Sequence, residues 1–323
     1  MNVHVAAQSR IAARDPELTR FALDVLEGLS RATKQLSPKY FYDATGSELF
    51  EQITALPEYY PTRTELAILR DHASEIAALA PANAVLVEFG AGSTTKARLL
   101  LATGRYAAYA PVDISGDFLA QQAAALRADL PELPVYPVAA DFTQAFALPN
   151  AIVLQSKVGF FPGSTIGNFD PHQAAGFLRS ARRVLGRQAT MIVGVDLEKD
   201  ESALHAAYND AAGVTAKFNL NVLMRINREL DGDFNLSAFD HQAIYNAEKH
   251  RIEMHLVSRV AQTVHVLGRE FSFREGEIIH TESSYKYSVA RFAALARRAG
   301  WQVVKTWTDA ERMFSVHALT MSD

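Results

Sequence analysis

AVLVEFGAGSTTKARLLL, residues 84–101, is an apolar run that reaches a carboxylate at Glu88, turns through Gly90 and Gly92, and continues with helical spacing. A Gly-x-Gly after a strand lets the main chain approach a ligand closely, and the helix that follows presents unpaired N–H groups. The pattern predicts a buried strand over residues 84–89 and a helix over 94–103. A dinucleotide fingerprint needs a third glycine, and Thr95 stands in its place, which counts against a pyrophosphate-binding turn.

Outward from this turn, strand-like and helix-like segments alternate. Strands are expected over 107–114, 135–140, 157–161 and 191–195, with helices over 118–130 and 172–185 between them. Strands spaced by helices imply a parallel sheet with right-handed crossovers, an α/β fold. The last stretch breaks the rhythm. A helix over 289–299 ends at Gly300, and two strands, 301–307 and 314–319, are joined only by TDAERM, so they must pair antiparallel.

The bulk properties narrow the chemistry. With 323 residues, 49% hydrophobic and 21% charged, the chain can bury a large core. A net charge of −4 and dispersed Lys and Arg exclude a nucleic-acid binder. Without cysteine there are no disulfides, thiolate metal sites or cysteine nucleophiles. His250 and His255 lack the i,i+4 spacing of a helical metal pair, so no metal is expected. The opening MNVHVAAQSRIAARDPEL has no continuous apolar core, and no run of about 18 apolar residues occurs, so a cytoplasmic protein without membrane partners is expected. No apolar helix face suggests an obligate interface, which makes a monomer the default.

Three acids fall at the carboxyl ends of consecutive strands. Glu88 places negative charge near the turn, which suits a sulfonium better than a phosphate. Asp113 is placed to accept ribose hydroxyls. Asp141 is placed to take an adenine amino group, with Phe142 covering the base. Each alone reads more readily as a helix cap or loop acid. Together with the turn and the reversed hairpin they make a nucleoside site, and a doubly wound sheet closing on such a hairpin resembles the class I S-adenosylmethionine (SAM) methyltransferases. The SAM-binding domain is expected over residues 61–195 and 288–323. A smaller α+β substrate-binding domain, 1–60 with 196–287, is expected to pack as a lid.

Four stretches are more specific: YFYDATGSELFEQITALPEYYPTRTE (40–65), GSTIGN (163–168), AYNDAAGVTAKFNLNVL (207–223) and TESSYKYS (281–288). With these the chain resembles the histidine Nα-methyltransferases of ergothioneine biosynthesis, which methylate the α-amine of L-histidine three times to give hercynine and release S-adenosylhomocysteine (SAH). The resemblance implies that Asn168 and Tyr208 hold the substrate carboxylate, while Gly163, Tyr42 and Tyr59 surround the amino group, the two tyrosines at the reacting centre. Glu282 and Ser284 would grip the imidazole, with Met254 in its pocket. Gly90, Gly92, Lys96, Asp113, Asp141 and Phe142 would bind SAM, with Glu88 and Tyr42 beside it.

Simpler roles exist for several of these residues. Asn168 reads as a cap of the next helix, Met254 as core filler, and Glu282 as a partner of Lys286. Two positions depart from the family pattern: Asn209 stands where an acid is expected, and Tyr285 is bulkier. Rival readings are a related enzyme acting on an aromatic amino acid such as tryptophan, and a nucleotide-binding dehydrogenase.

Overall fold

A computed structural model describes residues 16–186 and 188–321. Residues 1–15, the start of the expected substrate-binding domain, lie outside the described residues. The chain divides into two compact units, Met1–Tyr59 with Glu201–Ser283, and Tyr60–Asp200 with Ser284–Asp323.

The second unit is built on strands β1 (Ala84–Phe89), β2 (Tyr106–Asp113), β3 (Val138–Ala139), β4 (Lys157–Phe161), β5 (Thr190–Asp196), β6 (Trp301–Thr308) and β7 (Phe314–Met321). They form one sheet in the order β6-β7-β5-β4-β1-β2-β3. All neighbours are parallel except β7, which runs antiparallel to both β5 and β6. This is the expected α/β layout with its reversed terminal hairpin.

Period-two alternation divides the core. Val85, Val87 and Phe89 face one apolar layer, under helices Pro171–Leu185 and Val289–Arg298. Ala84 and Leu86 face the other, under Tyr60–Ala78, Thr95–Leu101 and Gly116–Asp129. Covered on both sides, β1, β4 and β5 are buried at every position, as parallel strands require.

Chain order reverses between β1 and β4, so the crevice at their carboxyl ends is the topological switch point where open sheets bind ligands. Gly90 follows β1 there, and Gly163 follows β4. The third strand is shorter than expected: Tyr136 N–H bonds the Tyr109 carbonyl and Ala140 N–H the Asp113 carbonyl, but between them Pro111 of β2 has no N–H to give to the ladder. Only Val138–Ala139 pair as a strand, with an isolated bridge from Val135 to Tyr109.

The first unit is α+β. Helices Pro16–Ser30, Ala44–Thr54, Glu201–Tyr208 and Val214–Glu229 accompany a sheet ordered Lys34–Gln35, Ile278–Tyr285, Arg251–Ser258, Phe239–Asn246. A separate hairpin, Gln262–Val266 with Arg269–Phe273, turns on Leu267 and Gly268, both at positive φ, the signature of a two-residue type I′ turn. Among the described residues no helix is long and apolar enough to cross a membrane.

GSTIGN uses its two glycines differently. Gly163 sits at φ 78°, in the left-handed region. Gly167 has ordinary dihedrals, but a Cβ there would lie 2.7 Å from the Tyr285 carbonyl oxygen. Gly167→Ala should therefore cost about 1–3 kcal/mol in urea denaturation, since backbone cannot yield as a side chain does. The same change at Gly176, in helix Pro171–Leu185 with only a distant Arg179 nitrogen near its Cβ, should be neutral or stabilising.

Candidate active site

The glycine turn is fixed by its own backbone. Gly90 N–H donates to the Val112 carbonyl at 2.8 Å and Ala91 N–H to the same oxygen at 3.1 Å, with Gly90 at φ 74°. Gly92 is different. Its φ is not left-handed, and a Cβ there would meet nothing within 4 Å, so neither conformation nor packing demands a glycine. Space left open above a strand-end turn is the cradle a bound nucleoside needs. The ring of Phe142 lies 3.4 Å from where a Gly90 Cβ would stand, so the third strand's exit does reach the turn.

Asp113 is the last residue of β2; its Oδ1 accepts Ser115 N–H at 2.8 Å, and burial raises its carboxyl above the usual range. Asp141 follows β3 and accepts Thr143 N–H at 2.9 Å. Each acid thus makes a local loop bond, which holds its carboxylate still without using its other oxygen in that bond. These residues fit an adenosyl group: an open backbone cradle, two acids held by turns, and an aromatic ring beside them.

Glu88 differs from its expected setting. It shares the face of Leu86 and Tyr109, is 1% exposed, and accepts the Tyr109 hydroxyl. Burial pushes its carboxyl up to about 8, against the pull of the Tyr109 bond and of Lys96. It is an acid enclosed in the sheet and not an open strand-end charge.

Lys96 is paired. Its Nζ is 2.6 Å from Oε2 of Glu65, a residue with no exposure at all. Glu65 also accepts Gly163 N–H, at 2.8 Å to Oε2 and 3.0 Å to Oε1. One carboxylate therefore ties the helix after β1 to the loop after β4, across the switch point. Gly194 makes room for it, since a Cβ there would fall 2.0 Å from Oε1. Glu65 ends the quoted 40–65 stretch but was given no role. The available signal was its place with Ile68 and Leu69, at i+3 and i+4, on the buried face of helix Tyr60–Ala78.

A second buried network lies at the end of β5. Asp196 accepts from Tyr60 OH at 2.8 Å, from Lys286 Nζ at 2.7 Å, and from Lys199. Burial works to raise the Asp196 carboxyl, but Lys286 and Lys199 outweigh it and hold it low. Burial brings Lys199 down to about 8. Lys286, fully buried, also donates to Ser284 Oγ at 2.9 Å, so its ammonium serves Asp196 and Ser284. Asn168 closes the short turn Thr165–Asn168, and it is not the cap of the next helix. Asp170 is, in a capping box with Gln173.

In the first unit, Tyr42, Tyr59 and Tyr208 join one aromatic cluster. Tyr42 and Tyr59 both pack edge-on against Phe50, at 5.6 and 6.3 Å, and Tyr59 meets Tyr208 at 6.4 Å. Tyr208 is held through its backbone: His241 Nε2 bonds its carbonyl at 2.8 Å, while Nδ1 faces the Asn219 amide nitrogen at 2.9 Å. An amide donor on Nδ1 leaves the proton on Nε2, a neutral tautomer, and burial lowers the His241 pKa accordingly. Nothing in the sequence pattern marked His241.

Asn209 bonds strand Phe239–Asn246 reciprocally, giving Nδ2 to the Ala243 carbonyl at 3.0 Å and taking Ala243 N–H on Oδ1 at 3.1 Å. An aspartate could not make the first bond, which gives the departure at this position a structural reason. Met254 is 2% exposed, Glu282 7% and Ser284 4%. Elsewhere in this unit Glu253, His255 and His280 converge, with ligand-type atoms within 4.8 Å of one another. Arg251 takes one Glu253 oxygen, and the two rings bond each other at 3.2 Å, which satisfies these groups among themselves.

The strand order, reversed hairpin and open glycine cradle flanked by strand-end acids define a class I SAM-dependent methyltransferase. The chain matches the family model of histidine-specific, SAM-dependent methyltransferases over residues 21–321 and belongs to that family. It is 43% identical to a histidine N-alpha-methyltransferase of Mycolicibacterium smegmatis, over 92% of this chain and 94% of that one. It is 40% identical to that of Mycobacterium tuberculosis, over 88% and 90%. A more distant relative, an L-tryptophan methyltransferase of Psilocybe serbica, is 26% identical over 91% of each chain.

Gly92→Ala should leave the unfolding free energy within about 0.5 kcal/mol of the parent yet weaken SAH binding about tenfold or more, measured by calorimetry. Glu88 makes a pH prediction. The fold binds its proton more tightly than the unfolded chain, where the carboxyl titrates near 4.5, so its contribution is full below that pH and is lost as pH rises towards about 8. In ligand-free denaturation, Glu88→Gln should gain stability relative to the parent between about pH 5 and about pH 8.

Proposed function

We propose that this protein transfers methyl groups from SAM to the α-amine of L-histidine, three in succession, giving hercynine in ergothioneine biosynthesis. Beyond the family, one observation carries the choice of substrate. Glu282 and Ser284 are both buried and lie two residues apart on strand Ile278–Tyr285, so their side chains project from the same face. A carboxylate accepts and a hydroxyl both donates and accepts. The pair suits a ring with one N–H and one lone-pair nitrogen, which imidazole has. An indole offers one N–H and no acceptor nitrogen, which disfavours the tryptophan reading despite the distant relative.

When bound, SAM supplies the electrophilic methyl group. What the chain supplies is position, since in-line displacement needs only a neutral amine lone pair correctly aimed. Asn168 and Tyr208 hold the substrate carboxylate with neutral donors, which add no positive charge beside the sulfonium. Gly163, Tyr42 and Tyr59 surround the amine, and tyrosine faces tolerate the cation that grows as methyls accumulate, by contacts worth about 0.5–2 kcal/mol. Met254 lines the ring's pocket. Gly90, Gly92, Asp113, Asp141 and Phe142 bind the adenosyl group. Lys96, steadied by Glu65, serves the charged amino-acid end, with Tyr42 beside it. The setting is a cytoplasmic monomer acting on a free amino acid without nucleic-acid or membrane partners, which the net charge of −4 and the absence of cysteine support.

Incubation with SAM and each common amino acid, followed by mass spectrometry, should give a trimethylated product from histidine alone. Methylation of tryptophan in preference to histidine would overturn the substrate assignment, and protection against heating by NAD but not SAH would overturn the cofactor. Glu282→Ala should weaken histidine about tenfold or more with SAH affinity nearly unchanged, the loss expected for one charge-assisted bond, and Asp113→Ala should do the reverse.

A further inference from the structure

Ser284 is read above as a partner of the substrate ring, but a hydroxyl alone does not choose which ring. It donates or accepts as its rotor turns. Here the rotor has a neighbour that can only donate. The Lys286 ammonium, with no exposure, is 2.9 Å from Ser284 Oγ and 2.7 Å from Asp196 Oδ2. Since an ammonium has hydrogens and no lone pair, Ser284 accepts on that side and its O–H must point elsewhere.

The ammonium is itself held in place. Asp196 is fixed by Tyr60 OH, by Lys199, and through its own N–H by Ser164 Oγ at 2.9 Å. Its carbonyl takes the Tyr287 N–H at 3.0 Å, one residue beyond Lys286. The chain of bonds is anchored at the end of β5 and reaches the serine hydroxyl.

We propose that Lys286 is a positioning residue that locks Ser284 as a hydrogen-bond donor, so that the site selects substrate rings presenting a lone-pair nitrogen. The inference rests on the reading of Ser284 as a ring partner. Lys286 touches neither substrate nor SAM in this scheme and acts only through Ser284.

That indirectness sets the test, a double-mutant cycle of Lys286→Met and Ser284→Ala, with histidine affinity measured by calorimetry at saturating SAH. Lys286→Met should weaken histidine about tenfold when Ser284 is present and less than about twofold when it is alanine, because coupled residues are not additive. SAH affinity should stay constant throughout. Equal losses in both backgrounds would overturn the positioning role while leaving Ser284 on the ring. An unchanged histidine affinity in Ser284→Ala alone would instead remove Ser284 from the ring, and the inference with it. Lys286→Gln guards against misfolding, since its amide keeps an N–H for Ser284 Oγ without the charge. It should bind histidine within about threefold of the parent, and a loss as large as that of Ser284→Ala would count against the proposal.

Discussion

A carboxylate without solvent ties the second unit together at its topological switch point. Glu65 has no exposure, and ionised it would be intolerable inside a protein without compensation. Its compensation comes from the Lys96 ammonium and the Gly163 N–H. The two donors follow different strands, and those strands are the pair between which the sheet reverses its order. Breaking such a buried pair by deleting one partner typically costs about 3–5 kcal/mol. Opening the crevice by moving either segment would cost something comparable, so the cradle and the GSTIGN loop keep a fixed spacing.

The acids of this unit divide into kinds by environment. Glu65 and Asp196 are buried, compensated by ammonium groups, and act as fasteners. Glu88 is buried against a hydroxyl, with no cation bonded to it, and its raised pKa follows. Asp113 and Asp141 stay at strand ends, held by local loop bonds, Asp113 from Ser115 N–H and Asp141 from the Thr143 N–H and hydroxyl. Carboxylates do separate jobs because desolvation and partners differ, and the last pair are the acids proposed to contact the ligand.

Much of the fold was readable because its signals are local. The strands over 84–89 and 157–161 carry apolar runs, the six-residue link TDAERM forces an antiparallel hairpin, and glycines punctuate both. The third strand misled because its apolar residues looked continuous while Pro111, on the strand beside it, lacks the N–H that the ladder between them needs. The candidate site residues split along the same line. Gly90, Asp113 and Phe142 were visible because a turn or strand end marks them. Glu65 and His241 were not, because their meaning lies in partners far off in sequence, Gly163 and Tyr208; Lys286 was visible only as a partner of Glu282, not of Asp196. Asn168 was ambiguous until Asp170 proved to be the cap, and Glu88 was read as a negative charge beside the glycine turn because its pairing with Tyr109 depends on the register of neighbouring strands.

His241 grips Tyr208 by the carbonyl oxygen and not by the phenol. Anchoring of the main chain and display of the side chain are therefore decoupled at that residue. Under the proposed carboxylate role, an engineer who wished to alter the head group that is accepted could change the Tyr208 side chain without breaking the clasp on the helix end, which uses only the main-chain oxygen.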